Sequence, residues 1–424
     1  MTDRTRRHFQ DNLALVRDLA GNRSFVALWF GQQVSWIGNA FHRISLLFLL
    51  MEGVAAGQRY LPLLVLSLVH ATAHLVIGPF AGVFADRWSR KSTMIVADLS
   101  RAALVLLIPF AASRPWLYAL SFLVTVATLF FEPARNSALP NVVPAGQLFT
   151  ANSFLSTSES CAELLGLLAG GFLVERLGFR FAFYLDSLSF VISAAAIAVM
   201  SLPPAQARER RPWRREASEV VGELREGLAY VARRVDIRAV FGLYFLMAAA
   251  LGSLNNLLAL FATAGLGLGP GAYAKMSGGI VAGYVVGSVV VGLAGTGYNR
   301  VGMLGLGLLG MGAGTVIMGW ARVLPVAVLG ALVGGLFNPV YYVASRTYLQ
   351  EVVDNSVLGR VFSLQFLVVQ AGFVASVGLA AAVLPAVGVR FWLILSGVAL
   401  AVVGGLVPRF GVLGRLRRGE RLAA

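Results

Sequence analysis

Residues 78–91 read Gly78-Pro79-Phe80-Ala81-Gly82-Val83-Phe84-Ala85-Asp86-Arg87-Trp88-Ser89-Arg90-Lys91. An apolar run stops here, and an acid and three cations follow within six residues. Gly78 and Gly82 lie four apart, the spacing at which small residues let membrane helices approach closely. Asp86 can pair with a cation and accept from helix-terminal N–H groups. Arg87, Arg90 and Lys91 would hold a short loop on the cytoplasmic side of a membrane. The segment therefore reads as a tight cytoplasmic turn between two spanning helices.

The rest of the chain repeats the pattern. Apolar stretches flank the turn at 61–85 and 93–112, and others fall at 25–51, 115–137, 151–174 and 181–202. A second set falls at 239–262, 272–294, 301–320, 324–347, 360–384 and 388–408. The chain has 424 residues, of which 58% are hydrophobic and 13% charged, and its mean hydropathy is +0.76. A soluble chain would carry roughly a quarter charged residues. At ~20 apolar residues per crossing, the hydrophobic content covers about a dozen helices. The expected fold is an all-α integral membrane protein with 12 transmembrane helices in two six-helix bundles. The single cysteine, Cys161, excludes a disulfide framework and a cysteine metal cluster. Residues Met1–Arg23 are polar and basic, and the first apolar run is too long for a signal peptide. It reads as the first span, with the N-terminus in the cytoplasm.

The expected divisions are a first bundle at 1–202, a basic cytoplasmic linker at 203–238, and a second bundle with a basic tail at 239–424. The linker is dense in arginine: Arg208, Arg210, Arg211, Arg214 and Arg215. Its later part, Ser218–Arg234, spaces Val221, Leu224, Leu228 and Val231 as an amphipathic helix suited to a membrane surface. The net charge of +15 comes almost wholly from arginine. With both termini inside, 26 of the 35 basic residues fall in cytoplasmic segments and seven in the opposite loops. That asymmetry sets the orientation and accounts for the charge without nucleic acid as a partner.

The two halves are related. A shift of 210 residues lays Leu139-Pro140-Asn141-Val142-Val143 over Leu349-Gln350-Glu351-Val352-Val353. Leu148 then falls on Leu358, Gly82 on Gly292, and Arg90 on Arg300. Gly178, Arg180 and Phe181 fall on Gly388, Arg390 and Phe391. One constant offset through loops and spans indicates two parallel repeats related about an axis along the membrane normal, an architecture of alternating-access transporters.

Residues 78–91 resemble the loop between the second and third helices of the major facilitator superfamily: Gly, three residues, Asp-Arg, two residues, Arg-Arg/Lys. The resemblance implies a conformational latch made by Gly82, Asp86, Arg87, Arg90 and Lys91. The second copy has Thr296 where Asp86 would fall, so the latch would be one-sided. Phe130-Phe131-Glu132-Pro133-Ala134-Arg135, Leu139 to Pro144, Leu358-Gly359-Arg360-Val361-Phe362-Ser363, and Leu28 to Ser35 resemble the macrolide-efflux and enterobactin-exporter branch. Membership there implies proton-driven export of amphiphilic small molecules. That branch often carries an acid in the first helix after a Ser-x-x-Gly turn. Here Ser35-Trp36-Ile37-Gly38 leads to Asn39, which cannot titrate. Gly166 and Gly170-Gly171 resemble a reduced antiporter motif without its Gly-Pro.

Ionisable groups at membrane depth cost at least ~2.5 kcal/mol on insertion scales, so each needs a reason. Nearly all lie in the first half. Glu163 falls about 18 Å into the fifth span, near the midplane, and Glu159 lies one turn below on the same face. Glu163, Glu159 and Glu132 are the proton-coupling candidates; the alternative is that the glutamates hold a static interhelical network. Asp98 with Arg101, and Glu132 with Arg135, share an i,i+3 spacing and are expected to join Asp86 in a gating cluster under the latch. Asn39, His42, Arg43, His70, His74, Asp186 and Tyr341 are substrate-cavity candidates. Alternatively, Asp186 pairs with Arg180 or Arg176, and His42-Arg43 pair with Glu52 or Asp186. His70 and His74 have a spacing a metal could use, but too few further ligands exist, so no metal site is expected. Packing is the plainer reading of both.

No nucleotide-binding loop appears, and no nucleophile–base constellation marks an enzyme. No cofactor is expected. The expected partners are an amphiphilic substrate, protons and membrane lipid, around a monomer in the inner membrane of a bacterium. The leading reading is a proton-coupled exporter of drugs, macrolides or siderophores. The alternative is a lysophospholipid or glycolipid transporter of the same fold, with His42 and Arg43 meeting a headgroup. A non-transporting sensor fits the intramembrane charges less well.

Overall fold

A computed structural model describes residues 18–85, 88–144, 147–202, 222, 225–294, 299–354 and 357–407. Every regular element among them is helical. In chain order these are α1 (Arg23–Met51), α2 (Tyr60–Ala85), α3 (Arg90–Leu107), α4 (Arg114–Val142), α5 (Leu148–Leu177) and α6 (Phe179–Ala198). The second series is α7 (Val235–Leu251), α8 (Leu254–Leu260), α9 (Pro270–Ala294), α10 (Arg300–Trp320), α11 (Leu324–Val352) and α12 (Leu358–Leu406). Hydrocarbon offers no hydrogen bonds, so a spanning backbone must satisfy its own polar groups as helix.

Ten helical stretches among the described residues are long and apolar enough to cross a membrane. One of them, α12, has 49 residues. As a straight rod it would reach about 73 Å, more than twice a ~30 Å hydrocarbon core. It is broken at Gly388, where φ is 74° and ψ 169°. Helix α5 has 30 residues, enough to cross, and carries Glu159, Glu163 and Glu175.

The offset of 210 residues reappears in the backbone. Helices α2, α3 and α4 begin at Tyr60, Arg90 and Arg114; α9, α10 and α11 begin at Pro270, Arg300 and Leu324. The N-caps Ser89 and Asn299 also correspond, each accepting a backbone N–H with its side chain. Gly178 joins α5 to α6 at φ 79°, ψ 168°, the same conformation as Gly388. A side chain is strongly disfavoured in that region of backbone space.

The chain divides into two compact units. The first comprises Met1–Leu49 with Thr72–Arg211, and the second Leu50–Ala71 with Pro212–Ala424. In the first unit, α3 packs on α4 and α6. Helix α1 packs on α5 through small residues: a Cβ at Gly166 would lie 2.9 Å from the Ala40 methyl, and one at Gly170 2.8 Å from the Phe41 ring. In the second unit, α10 packs on α11 and α12. Its glycines permit the approach. Gly310 faces the Phe337 ring, Gly314 faces Gly330 and Gly334, and Gly312 faces Ala401.

Two features of the second unit extend or amend the sequence reading. Of the expected surface helix Ser218–Arg234, Val221 and Leu224 lie outside the described residues. Residues 225–233 are helical and pack on their own unit. Val231 is buried in its core, Gly227 lies against Leu364 and Arg360, and Glu226 pairs with Arg360 at 2.8 Å. At the segment's end, Arg234 grips Asp236 through two hydrogen bonds, of 3.0 and 2.7 Å. That carboxylate holds the Arg234 guanidinium above its ordinary range. The other feature is Arg390. It donates to the Ala321 and Gly265 carbonyls at 2.6 Å each, and lies over the Phe261 ring. A cation at helix C-terminal carbonyls is favourable, so this arginine has a structural reason to be there.

Gly178→Ala and Gly388→Ala should each destabilise the protein by about 1–3 kcal/mol through backbone strain. Thermal unfolding in detergent would check this, and two silent variants would contradict it.

Candidate functional site

Charges within the described spans concentrate in the first unit, and α1 carries them in two directions. Consecutive residues on a helix point about 100° apart. His42 therefore faces α6 while Arg43 faces α5. Arg43 Nη2 donates to Glu163 Oε1 at 2.6 Å, and both side chains are about a third exposed, at 38% and 35%. His42 Nδ1 stands 3.1 Å from Asp186 Oδ2, whose carboxylate is 1% exposed. Neither of these two atoms has a hydrogen-bond partner among the described residues. The His42 ring also meets Phe183 edge-on, with centroids 5.4 Å apart. Asp186 thus takes His42 as its partner, in place of Arg176 or Arg180. Arg176 instead lies over the Phe172 ring.

Gly38 makes this approach possible. A Cβ there would fall 2.6 Å from Asp186 Oδ1 and would also strike Ser189. Ser189 Oγ donates to the Asp186 carbonyl at 2.7 Å. One turn on, Ser193 faces Asp98 of α3. Asp98 and Arg101 form a close ion pair and are buried, at 0% and 3% exposure. The Arg101 guanidinium carbon lies over the Phe131 ring of α4 and over the Phe190 ring of α6, 4.4 and 4.3 Å from their centroids. Stacking on two rings suits a planar guanidinium and not an ammonium.

Asp98 and Arg101 lie in the interior of the first unit, against the Phe131 and Phe190 rings. Asp86 and Arg87, which the expected gating cluster would include, lie outside the described residues. Gly82 lies within α2, Arg90 opens α3, and Lys91 Nζ donates to the Met200 carbonyl at 2.7 Å, tying α3 to the chain just after α6.

A second group occupies the α1–α4–α5 side. Trp29 Nε1 donates to Ser158 Oγ at 3.1 Å, and the Gln33 amide meets the same hydroxyl. Arg135 does not close on Glu132. It reaches Gln32 Oε1 at 3.4 Å and lies over the Trp36 ring at 5.7 Å. Arg135, Glu132 and Glu163 are the charges that act on Glu159. The three glutamates named as proton candidates therefore share one electrostatic environment, with Arg43 and Arg135 as its cations.

The remaining candidates scatter. Asn39 is exposed, and His70 and His74 are half-buried on α2. Tyr341 is 1% exposed and packs edge-on against Tyr244 in the core of the second unit. It is a packing residue, not part of an open wall, because Gly307 lets α10 close directly over it. The sequence reading missed Gly38, Ser189 and Ser193 as partners of the buried charges. Their signal was present: Asp186, Ser189 and Ser193 fall on one face of a largely apolar helix.

The family model of the Major Facilitator Superfamily matches residues 28–280. The chain belongs to the major facilitator superfamily. Its relatives in that superfamily include macrolide efflux protein A of Streptococcus pyogenes, 25% identical over 402 residues, which cover 92% of this chain and 97% of that one. This near-full-length match extends the resemblance to the macrolide-efflux branch over almost the whole chain. The lysophospholipid transporter LplT of Yersinia enterocolitica is 30% identical over 154 residues, 36% of this chain and 37% of that one. Among solved structures, the fold is similar to a bacterial homolog of the human lysosomal transporter Spinster, with a TM-score of 0.70 at 14% identity, covering 95% of this chain and 99% of that chain.

Removing one partner of a buried ion pair strands the other in a medium that cannot solvate it. Arg101→Ala should cost about 3–5 kcal/mol of stability, and the double change Arg101→Met with Asp98→Leu should recover most of it. Thermal unfolding of the two variants in detergent decides this; a mild single variant would contradict it.

Proposed function

We propose that this superfamily member is a proton-coupled exporter of amphiphilic small molecules, such as drugs, macrolides or siderophores. It would reside in the inner membrane of a bacterium. It would cross the bilayer twelve times, with both termini in the cytoplasm, and work by alternating access. The bundles would be 1–202 and 239–424, joined by the basic segment 203–238. The twelvefold crossing is supported by the break at Gly388 within α12 and by the length of α5. The orientation is supported by the excess of arginine in the loops assigned to the cytoplasm.

The observation that carries the reading is the part-exposed Arg43–Glu163 pair, with Glu159 and Glu132 within electrostatic reach. Ionisable groups at membrane depth are costly and mark ion or substrate paths. An acid held by an arginine can exchange that partner for a proton or for a cationic group on a substrate. The near-full-length similarity to a macrolide efflux protein supports an amphiphilic substrate. The residues argue for transport chemistry and not for an enzyme.

The similarity to a lysophospholipid transporter favours a second reading, transport of a lysolipid, in which Arg43 would meet a phosphate. Purified protein in liposomes separates the two. With an imposed proton gradient, ethidium should move, the movement should collapse with a protonophore, and Glu163→Gln should reduce it by at least about tenfold, the scale of one lost charge-assisted contact. Normal gradient-driven movement in Glu163→Gln would overturn Glu163 as the coupling group. Movement of a labelled lysolipid without ethidium would favour the second reading.

A further inference from the structure

Among the described residues, the buried charges of the first unit do not balance. Asp98 and Asp186 are both fully buried, and Arg101 is the one permanently charged cation among them. Arg101 pairs with Asp98, and the charges of Asp186 and Glu132 also reach it. Glu132 is exposed, so surrounding polar medium can compensate it. Two buried carboxylates against one guanidinium leave one negative charge over. The groups facing Asp186 are His42 from α1, Arg101 from α3, and Ser189 on its own helix. Those facing Asp98 are Arg101 and Ser193. Those beside His42 are Asp186 and Phe183 from α6, and the Arg43–Glu163 pair, which is neutral in itself. His42 is in contact with Asp186 and can supply the missing positive charge by taking up a proton.

We propose that His42, Asp186, Arg101 and Asp98 form a buried site for one exchangeable proton, carried on the His42 imidazole and separate from the glutamates of α4 and α5. A net charge buried inside a membrane helix bundle is expensive, so the site holds its proton for charge balance. Hydroxyls line its length: Ser189 and Ser193 lie along α6 between the two carboxylates. The site is linked to the exposed glutamate side by covalent geometry. His42 and Arg43 are consecutive on α1, so a shift of α1 that alters one ion pair alters the other. As a coupling site this rests on the transport reading; as a proton site it does not.

The charge count makes a prediction that simple contact does not. Asp98 is the partner of Arg101, not of His42. In Asp98→Asn, Arg101 becomes free to balance Asp186, and His42 loses its reason to be charged. The chain has four histidines: His8, His42, His70 and His74. Full-length protein labelled with 15N-histidine, in lipid vesicles at pH 7, allows assignment of His42 through His42→Gln. The wild type should show His42 as imidazolium, with both ring nitrogens protonated. In Asp98→Asn and in Asp186→Asn the ratio of imidazolium to neutral imidazole should fall by at least about tenfold, the effect of a one-unit change in proton affinity. A neutral His42 in the wild type would overturn the proposal, whether or not the variants fold. So would a ratio unchanged from the wild type in Asp98→Asn. The readout needs no transported solute, so failure of the export reading would be seen separately.

Discussion

Hydrocarbon solvates neither a peptide group nor an ion, and the structure follows from that constraint. Backbone groups must bond within their own segment, which makes every crossing a helix. Helices with no water between them gain most from close approach, which explains glycines facing rings and backbone along α10, α11 and α12. Ions must carry their counter-ions in with them. Arg101 does so with Asp98 beside it and its guanidinium over the Phe131 and Phe190 rings. Those contacts hold α3, α4 and α6 together around a charge. Gly38 then lets α1 come near enough for His42 to reach Asp186.

Much of the fold was legible before any coordinates. The constant offset of 210 survives in the starts of α2, α3 and α4 against α9, α10 and α11, and in the matched glycines 178 and 388. It was legible because turn glycines and loop lengths tolerate little change once two repeats must fold alike. The concentration of ionisable groups in the first half was legible too. Their pairing was not. A linear sequence shows His42 and Arg43 as neighbours, whereas a helix sends them to α6 and α5. The spacing of Glu132 and Arg135 suggested a pair, but Arg135 turns to Gln32 and Trp36 of α1. Tyr341 reads as a cavity residue in the sequence because a helix apolar all round carries no stripe to show which face is buried.

The two halves keep a common backbone and differ in chemistry. The first unit buries ions, with hydroxyls set between them. The second buries tyrosines and glycine contacts: Tyr244 donates to Ser345 at 2.7 Å, and Tyr348 reaches Asp236 at 3.3 Å near the start of α7. One repeat thus carries groups able to exchange a proton, while the other offers a close-packed apolar body. That division of labour suits a transporter in which ion binding and greasy contact are supplied by different halves.

The most direct test of proton exchange follows lumenal pH in liposomes that hold the purified protein and a trapped pH-sensitive dye. A macrolide gradient is imposed, and protein-free liposomes correct for passive entry of the weak base. Coupled exchange predicts a protein-dependent lumenal pH change from proton flow opposite to the macrolide flow, and the pH change collapses when a protonophore is added. Protein-dependent macrolide flow at constant lumenal pH would contradict it.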